Sequence, residues 1–170
     1  ILSLMFEIMS PAGSMESLIA AIQGGADSVY FGAGNLNMRS RSSVNFSVED
    51  IAEIAVICKD NKVKSYLTLN TILYDEDLST AKNIILQAKH AGISAVIISD
   101  ISLITFAAQA GIDVHISTQC NITNIEAVKF YSQYANVMVL ARELTLPQIK
   151  HITDLINKEN IKGPLGEKIK

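Results

Sequence analysis

The sequence predicts an α/β fold of TIM-barrel type, an incomplete barrel of about six β/α units built on a parallel sheet. Three observations predict it. Short, continuously apolar runs alternate with longer amphipathic ones, as strands covered on both faces alternate with helices covered on one. Glycines follow the amphipathic runs, where helices end and the chain turns back. Polar clusters follow the apolar runs, at the strand ends where parallel α/β folds carry their chemistry.

The first strand is expected at Phe6 to Met9, followed by the turn SPAGS and a helix with Leu18, Ala21 and Ile22 on one face. Gly24 and Gly25 stop that helix, and a second strand runs from Ser28 to Phe31. Ser47 with Asp50 caps the next helix, whose apolar face is Ile51, Ile54, Ala55 and Cys58. Lys64 to Leu69 is the third strand; Ala81, Ile84, Ile85 and Ala88 mark the third helix, which Gly92 ends. Ala95 to Ser99, a helix ended by Gly111, and Asp113 to Ser117 follow. Thr123 with Glu126 and Thr145 with Gln148 match the capping box on either side of a sixth strand, Asn136 to Leu140.

A complete barrel needs eight strands in about 250 residues, so this chain of 170 reads as one α/β domain over 1–170 that forms the amino-terminal part of a barrel. Gly163, Pro164 and Gly166 mark a turn, Glu167 to Lys170 starts a further strand, and 158–170 is expected to be a flexible or truncated end. The alternative is an open doubly wound sheet of about six strands with GPLGEKIK as a tail.

Composition narrows the function classes. With 49% hydrophobic and 18% charged residues the chain supports a sizeable core. A formal net charge of −3 supplies no global basic field, so nucleic-acid binding would need a local patch. Two cysteines, Cys58 in an apolar helical face and Cys120 in a polar run, do not make a secreted disulfide framework, and a reducing cytoplasm is the default. The opening apolar stretch is short and carries Glu7, and no membrane-length apolar run occurs.

The expected strand carboxyl ends carry SPAGS, GAGNLNMR, Asn70 and Thr71, Ser99 and Asp100, Ser117 to Asn121, and Arg142 with Glu143. Those residues would surround a barrel mouth, although Thr118, Gln119 and Asn121 would equally serve as caps for strand and helix ends. The segments EIMSPAGSMESLIAAIQGGADSVYFGAGNLNMRSRSSVNFS, YLTLNT, HISTQCNITN and VLARELTLPQI, taken together, resemble the amino-terminal part of the peptidase U32 family, the collagenase-like proteases. That resemblance covers essentially the whole chain. It implies two chemistries: peptide hydrolysis, after the family's name, or hydroxylation of tRNA, ribosomal RNA or a ubiquinone precursor. For the second it implies an iron–sulfur cluster, held by cysteines beyond Lys170, and prephenate as co-substrate. No cluster is expected within 1–170, and no metal site.

A peptidase needs a nucleophile with a base in reach. Cys120 with His115 is the candidate pair, but a strand histidine is more often structural, and no HExxH motif supports a zinc enzyme. Hydroxylation asks the rim to orient an RNA or a small anionic ligand. Gln119, Arg142, Glu143 and Asp100 are the catalytic candidates, the two carboxylates either as acid–base groups or as partners of arginines. Ser14, Arg39, Asn70, Thr118 and Asn121 are the binding candidates: arginine forks for anions, amides and hydroxyls for polar edges, and helix amides after Ser14 for a phosphate or carboxylate. A third reading is a non-catalytic assembly module that self-associates through unpaired barrel edges.

Overall fold

The computed structural model describes residues 6–37 and 46–170. Six parallel strands form one sheet: β1 (Met9–Pro11), β2 (Ser28–Gly32), β3 (Lys64–Leu69), β4 (Ala95–Ile98), β5 (Val114–Ile116) and β6 (Val137–Met138). Their spatial order is their sequence order, β1-β2-β3-β4-β5-β6. A doubly wound sheet reverses its strand order at a switch point, and this one does not. The sheet is therefore a half-barrel, and the open doubly wound alternative is set aside.

The helices are α1 (Met15–Gln23), α2 (Asp50–Asp60), α3 (Leu78–Ala91), α4 (Ile101–Ala110), α5 (Ile125–Tyr131) and α6 (Leu146–Lys158). They cover one face of the sheet. Val29, Phe31, Leu67, Leu69, Val96, Ile98, Val114 and Ile116 pack there against Leu18, Ile54, Ile85 and Ile104 in one continuous buried core. The opposite face has its own small cluster, Tyr66, Ala95 and Ile97 with Tyr30, and is the lumen side of the barrel. Gly92 and Gly111 end α3 and α4 in the left-handed conformation, with φ of 87° and 73°, as their sequence positions predict.

Several boundaries differ from expectation: β5 and β6 are shorter, at Val114–Ile116 and Val137–Met138, and α2 is capped at Glu49, while Ser47 N donates to Asp50 Oδ2 at 2.8 Å. β1 lies at Met9–Pro11 rather than Phe6 to Met9; it is an edge strand, so proline's missing N–H costs it no ladder bond. Ile8 N instead donates to the Asp27 carboxylate at 2.8 Å. The cap of α5 is Asn124, not Thr123, because the Asn124 side chain reaches the third amide and accepts from Ala127 N at 2.9 Å. The end at 158–170 folds back on the sheet: Lys162 bridges Lys168, Ile169 is buried, and Lys170 pairs with Asn136 and Met138 along the free side of β6. Its two bonds, N–H to Asn136 O and Met138 N to Lys170 O, both 2.9 Å, are those of a parallel neighbour opposite Val137.

Ile98 lies wholly buried at the carboxyl end of β4, whereas Ile72 in the β3–α3 loop is 78% exposed. Ile98→Ala is expected to cost about 2–5 kcal/mol of stability and Ile72→Ala less than about 0.5 kcal/mol. Urea denaturation of the two variants checks this, and similar losses would contradict the layer assignment.

Candidate functional site

Strand alternation places a polar stripe on the lumen face. Tyr66, Thr68 and Asn70 follow one another along β3 and just beyond it, while His115 and Ser117 do so on β5. At the carboxyl ends these stripes converge. Asn70 Nδ2 lies 3.5 Å from Ser117 Oγ, Ser117 Oγ donates to Gln119 Oε1, and Thr118 Oγ1 reaches the same Gln119 oxygen at 3.2 Å. Ser117 is buried, Asn70 half-buried and Gln119 exposed, so the network runs from the sheet out to the rim. Three of the candidate residues, Asn70, Thr118 and Gln119, with Ser117 as their link, thus share one connected hydrogen-bond group. Thr68 is not available to it, since its hydroxyl donates to Phe31 O at 3.0 Å.

The other candidates have different surroundings. Ser14 caps α1, and the amides of Gly13 and Ser14 both donate to Ser17 Oγ at 2.9 Å. The exposed Glu16 carboxyl, held below its ordinary range by its own amide and Ser14, adds negative charge at that helix start. Ser17 thus closes the start of the helix from inside the chain, and its own amide donates back to Ser14 Oγ at 3.3 Å. Asp100 Oδ1 accepts from Ser102 N at 2.8 Å, Ser102 Oγ at 2.5 Å and Leu103 N at 3.2 Å, a helix cap for α4. Asn121 is exposed and ends a 3₁₀ turn at φ 48°. Arg142 and Glu143 are exposed in the β6–α6 loop, and neither makes an ion pair with a described residue. Arg39 lies outside the described residues. The loop leading toward it is set by Asn37, whose buried amide packs so close over Gly32 that a Cβ there would meet Asn37 Cγ at 2.3 Å.

Below the rim is a second polar group that the sequence reading did not single out. Glu7 Oε1 accepts from Tyr66 OH at 2.5 Å and Glu7 Oε2 from Lys64 Nζ at 2.7 Å. The Tyr66 ring in turn meets the His115 ring at 4.6 Å, tilted by 58°. Partial burial alone would raise the Glu7 carboxyl, but the bonds from Lys64 and Tyr66 outweigh it and bring it to about 2. Burial, then the bond to Glu7, pushes the Tyr66 phenol up, and burial takes His115 down to about 4 against the opposing charges of Glu7 and Asp113. The available signal was the period-two spacing of polar residues in SYLTLN and VHIST.

Cys120 and His115 do not form a pair. The Cys120 thiol donates to Ser99 O at 3.5 Å, packs with the helix-side core, and is pushed up by burial, while His115 faces the lumen. A thiol in that state is a poor nucleophile. Among the described residues no group of three or more side chains is placed to hold a metal ion, and no helix is long and apolar enough to cross a membrane.

Comparison with known proteins agrees with this architecture. The model of peptidase family U32 matches residues 13–162. A collagenase of Porphyromonas gingivalis is 53% identical over 97% of this chain and 40% of its own length. The 23S rRNA 5-hydroxycytidine synthase of Escherichia coli is 37% identical over 86% of this chain and 22% of its own. A tRNA hydroxylation protein of Bacillus subtilis is 30% identical over 90% of this chain and 37% of its own. The chain thus spans about two fifths or less of each. A solved structure of a U32 peptidase superposes with a TM-score of 0.72 at 12% identity, covering 88% of this chain and 65% of that one, and shows the fold.

The lowered His115 and Glu7 values predict a two-step loss of stability in acid. Between pH 6.5 and about 4 the unfolded chain binds a proton at position 115 that the folded chain refuses, so stability falls as pH falls through that window. Glu7 adds a loss between its unfolded value of 4.5 and about 2. His115→Gln is expected to flatten the upper window and Glu7→Gln the lower, read from unfolding free energies against pH; curves parallel to the wild type would contradict the assignment.

Proposed function

Given that this chain belongs to peptidase family U32, we propose that it forms the amino-terminal half of a barrel enzyme that hydroxylates a base in RNA. The observation that carries this reading is the separation of Cys120 from His115. The candidate peptidase dyad of this segment is split between the helix side and the lumen, whereas the rim offers uncharged hydrogen-bonding groups suited to orienting a substrate. The activities for which the Escherichia coli and Bacillus subtilis relatives are named point the same way. Arg142 and Arg39 are the proposed contacts for phosphate or carboxylate, Gln119, Asn70, Thr118 and Asn121 those for polar edges.

The reading includes an iron–sulfur cluster and prephenate for the complete polypeptide. Cys58, buried in α2, and Cys120, engaged with Ser99, do not fit a cluster site, so its ligands would come from outside this segment. An RNA substrate makes the cytoplasm the working compartment. The uncovered edge at β1, with Phe6 82% and Ile8 63% exposed, supports self-association of the isolated segment. A second reading, peptide hydrolysis, is favoured by the 53% identical collagenase.

Anaerobic purification of the complete polypeptide, with iron and sulfide determination, and incubation with prephenate and RNA from cells lacking the gene separates the two. A gain of one oxygen atom on a base, with iron in the complete form and none in this segment, is the expected outcome. Gelatin cleavage that is lost in Cys120→Ala, with no change in the RNA, would establish the peptidase instead.

A further inference from the structure

His115 stands two residues before Ser117 on the same face of β5, which puts its ring about 7 Å deeper in the lumen than the rim network. Neither ring nitrogen makes a hydrogen bond to a described residue; the ring's neighbour is Tyr66. The nitrogens are not shut into the core, where a polar atom without a partner would cost about 1–3 kcal/mol; they open onto the lumen, within reach of a bound molecule. The ring is nonetheless held in place. Tyr66 pairs with Ala95 in the sheet, and that small residue leaves room for the phenol ring to reach across β4 to His115. The far end of Tyr66 is fixed by Glu7, and Glu7 by Lys64.

We infer that His115 is a further ligand-contacting residue of this site, lying at its floor, with Tyr66 and Glu7 as positioning residues. The inference rests on the carboxyl-end rim being the substrate site. An imidazole, the Asn70 amide, the Ser117 hydroxyl and the Gln119 amide offer donors and acceptors without formal charge. Below them Lys64 is neutralised by Glu7 at 2.7 Å. The floor therefore takes an uncharged amide-like or ketone-like group, and any anionic part of the ligand stays at the rim beside Arg142. His115 cannot be replaced there by a residue that only fills space, because the floor would lose both its donor and its acceptor.

Carbethoxylation of the complete polypeptide by diethyl pyrocarbonate, read by peptide mass spectrometry, tests this. His90 and His151, both exposed on helices away from the lumen, serve as internal references. His115 is expected to react in the free protein and to slow about tenfold at saturating RNA from cells lacking the gene, with the two references unchanged. Protection by gelatin and not by RNA would keep His115 in the site while overturning the RNA reading. An unreactive His115, or one protected by neither polymer, overturns the inference and leaves the RNA reading to its product assay. In Tyr66→Phe, which keeps the ring but loses the bond to Glu7, protection is expected to weaken about threefold with the reference histidines unchanged; undiminished protection returns Tyr66 to a packing role.

Discussion

The unbroken parallel register from β2 to β6 is the constraint on which the rest depends. Tyr66 pairs with Ala95, Ile97 with His115, and His115 with Val137, so one alternation runs across four strands. A slip of one residue in any strand would turn its helix-facing side chains into the lumen and its polar stripe into the core. The buried outer layer, with Leu67, Val96, Ile98 and Ile116 wholly buried, makes such a slip prohibitive. The polar residues of the lumen do not hold the sheet together; they are placed by the apolar residues between them.

That division of labour explains how one half-barrel serves relatives named for different activities. Packing on the helix side fixes backbone positions, and the lumen side is free to vary in chemistry. In this chain it carries an uncharged rim network above an ion-paired group at Glu7 and Lys64, with aromatic contact between the two levels. Charge at the amino-terminal end of β3 is thereby paired, whereas Arg142 beyond β6 makes no ion pair with a described residue.

Much of the fold was legible in the sequence. Lys64 to Leu69 was found at its full extent because Leu67 and Leu69 alternate with Tyr66 and Thr68 as strand residues do, and the polar Asn70 and Thr71 end the run. β1 was misplaced because Phe6 and Ile8 look like strand interior while lying at an uncovered edge. At the site, Gln119, Thr118 and Asn70 were visible because polar residues directly after an apolar run stand out. Asp100 and Ser14 stood out for the same reason, yet their side chains cap helices, and local capping has the same sequence signature as a rim ligand. His115, Tyr66 and Glu7 were not legible as a group, since they lie on three different strands or strand approaches and only the register brings them together.

The register itself is tested most directly by nuclear Overhauser contacts from the His115 ring. With the ring centroids of Tyr66 and His115 4.6 Å apart, cross-peaks between their ring protons are predicted, with none from His115 to the α5 core residue Val128. Contacts from His115 to Val128, with the Tyr66 cross-peaks absent, would mean that β5 presents the opposite face and that the lumen site described above does not exist.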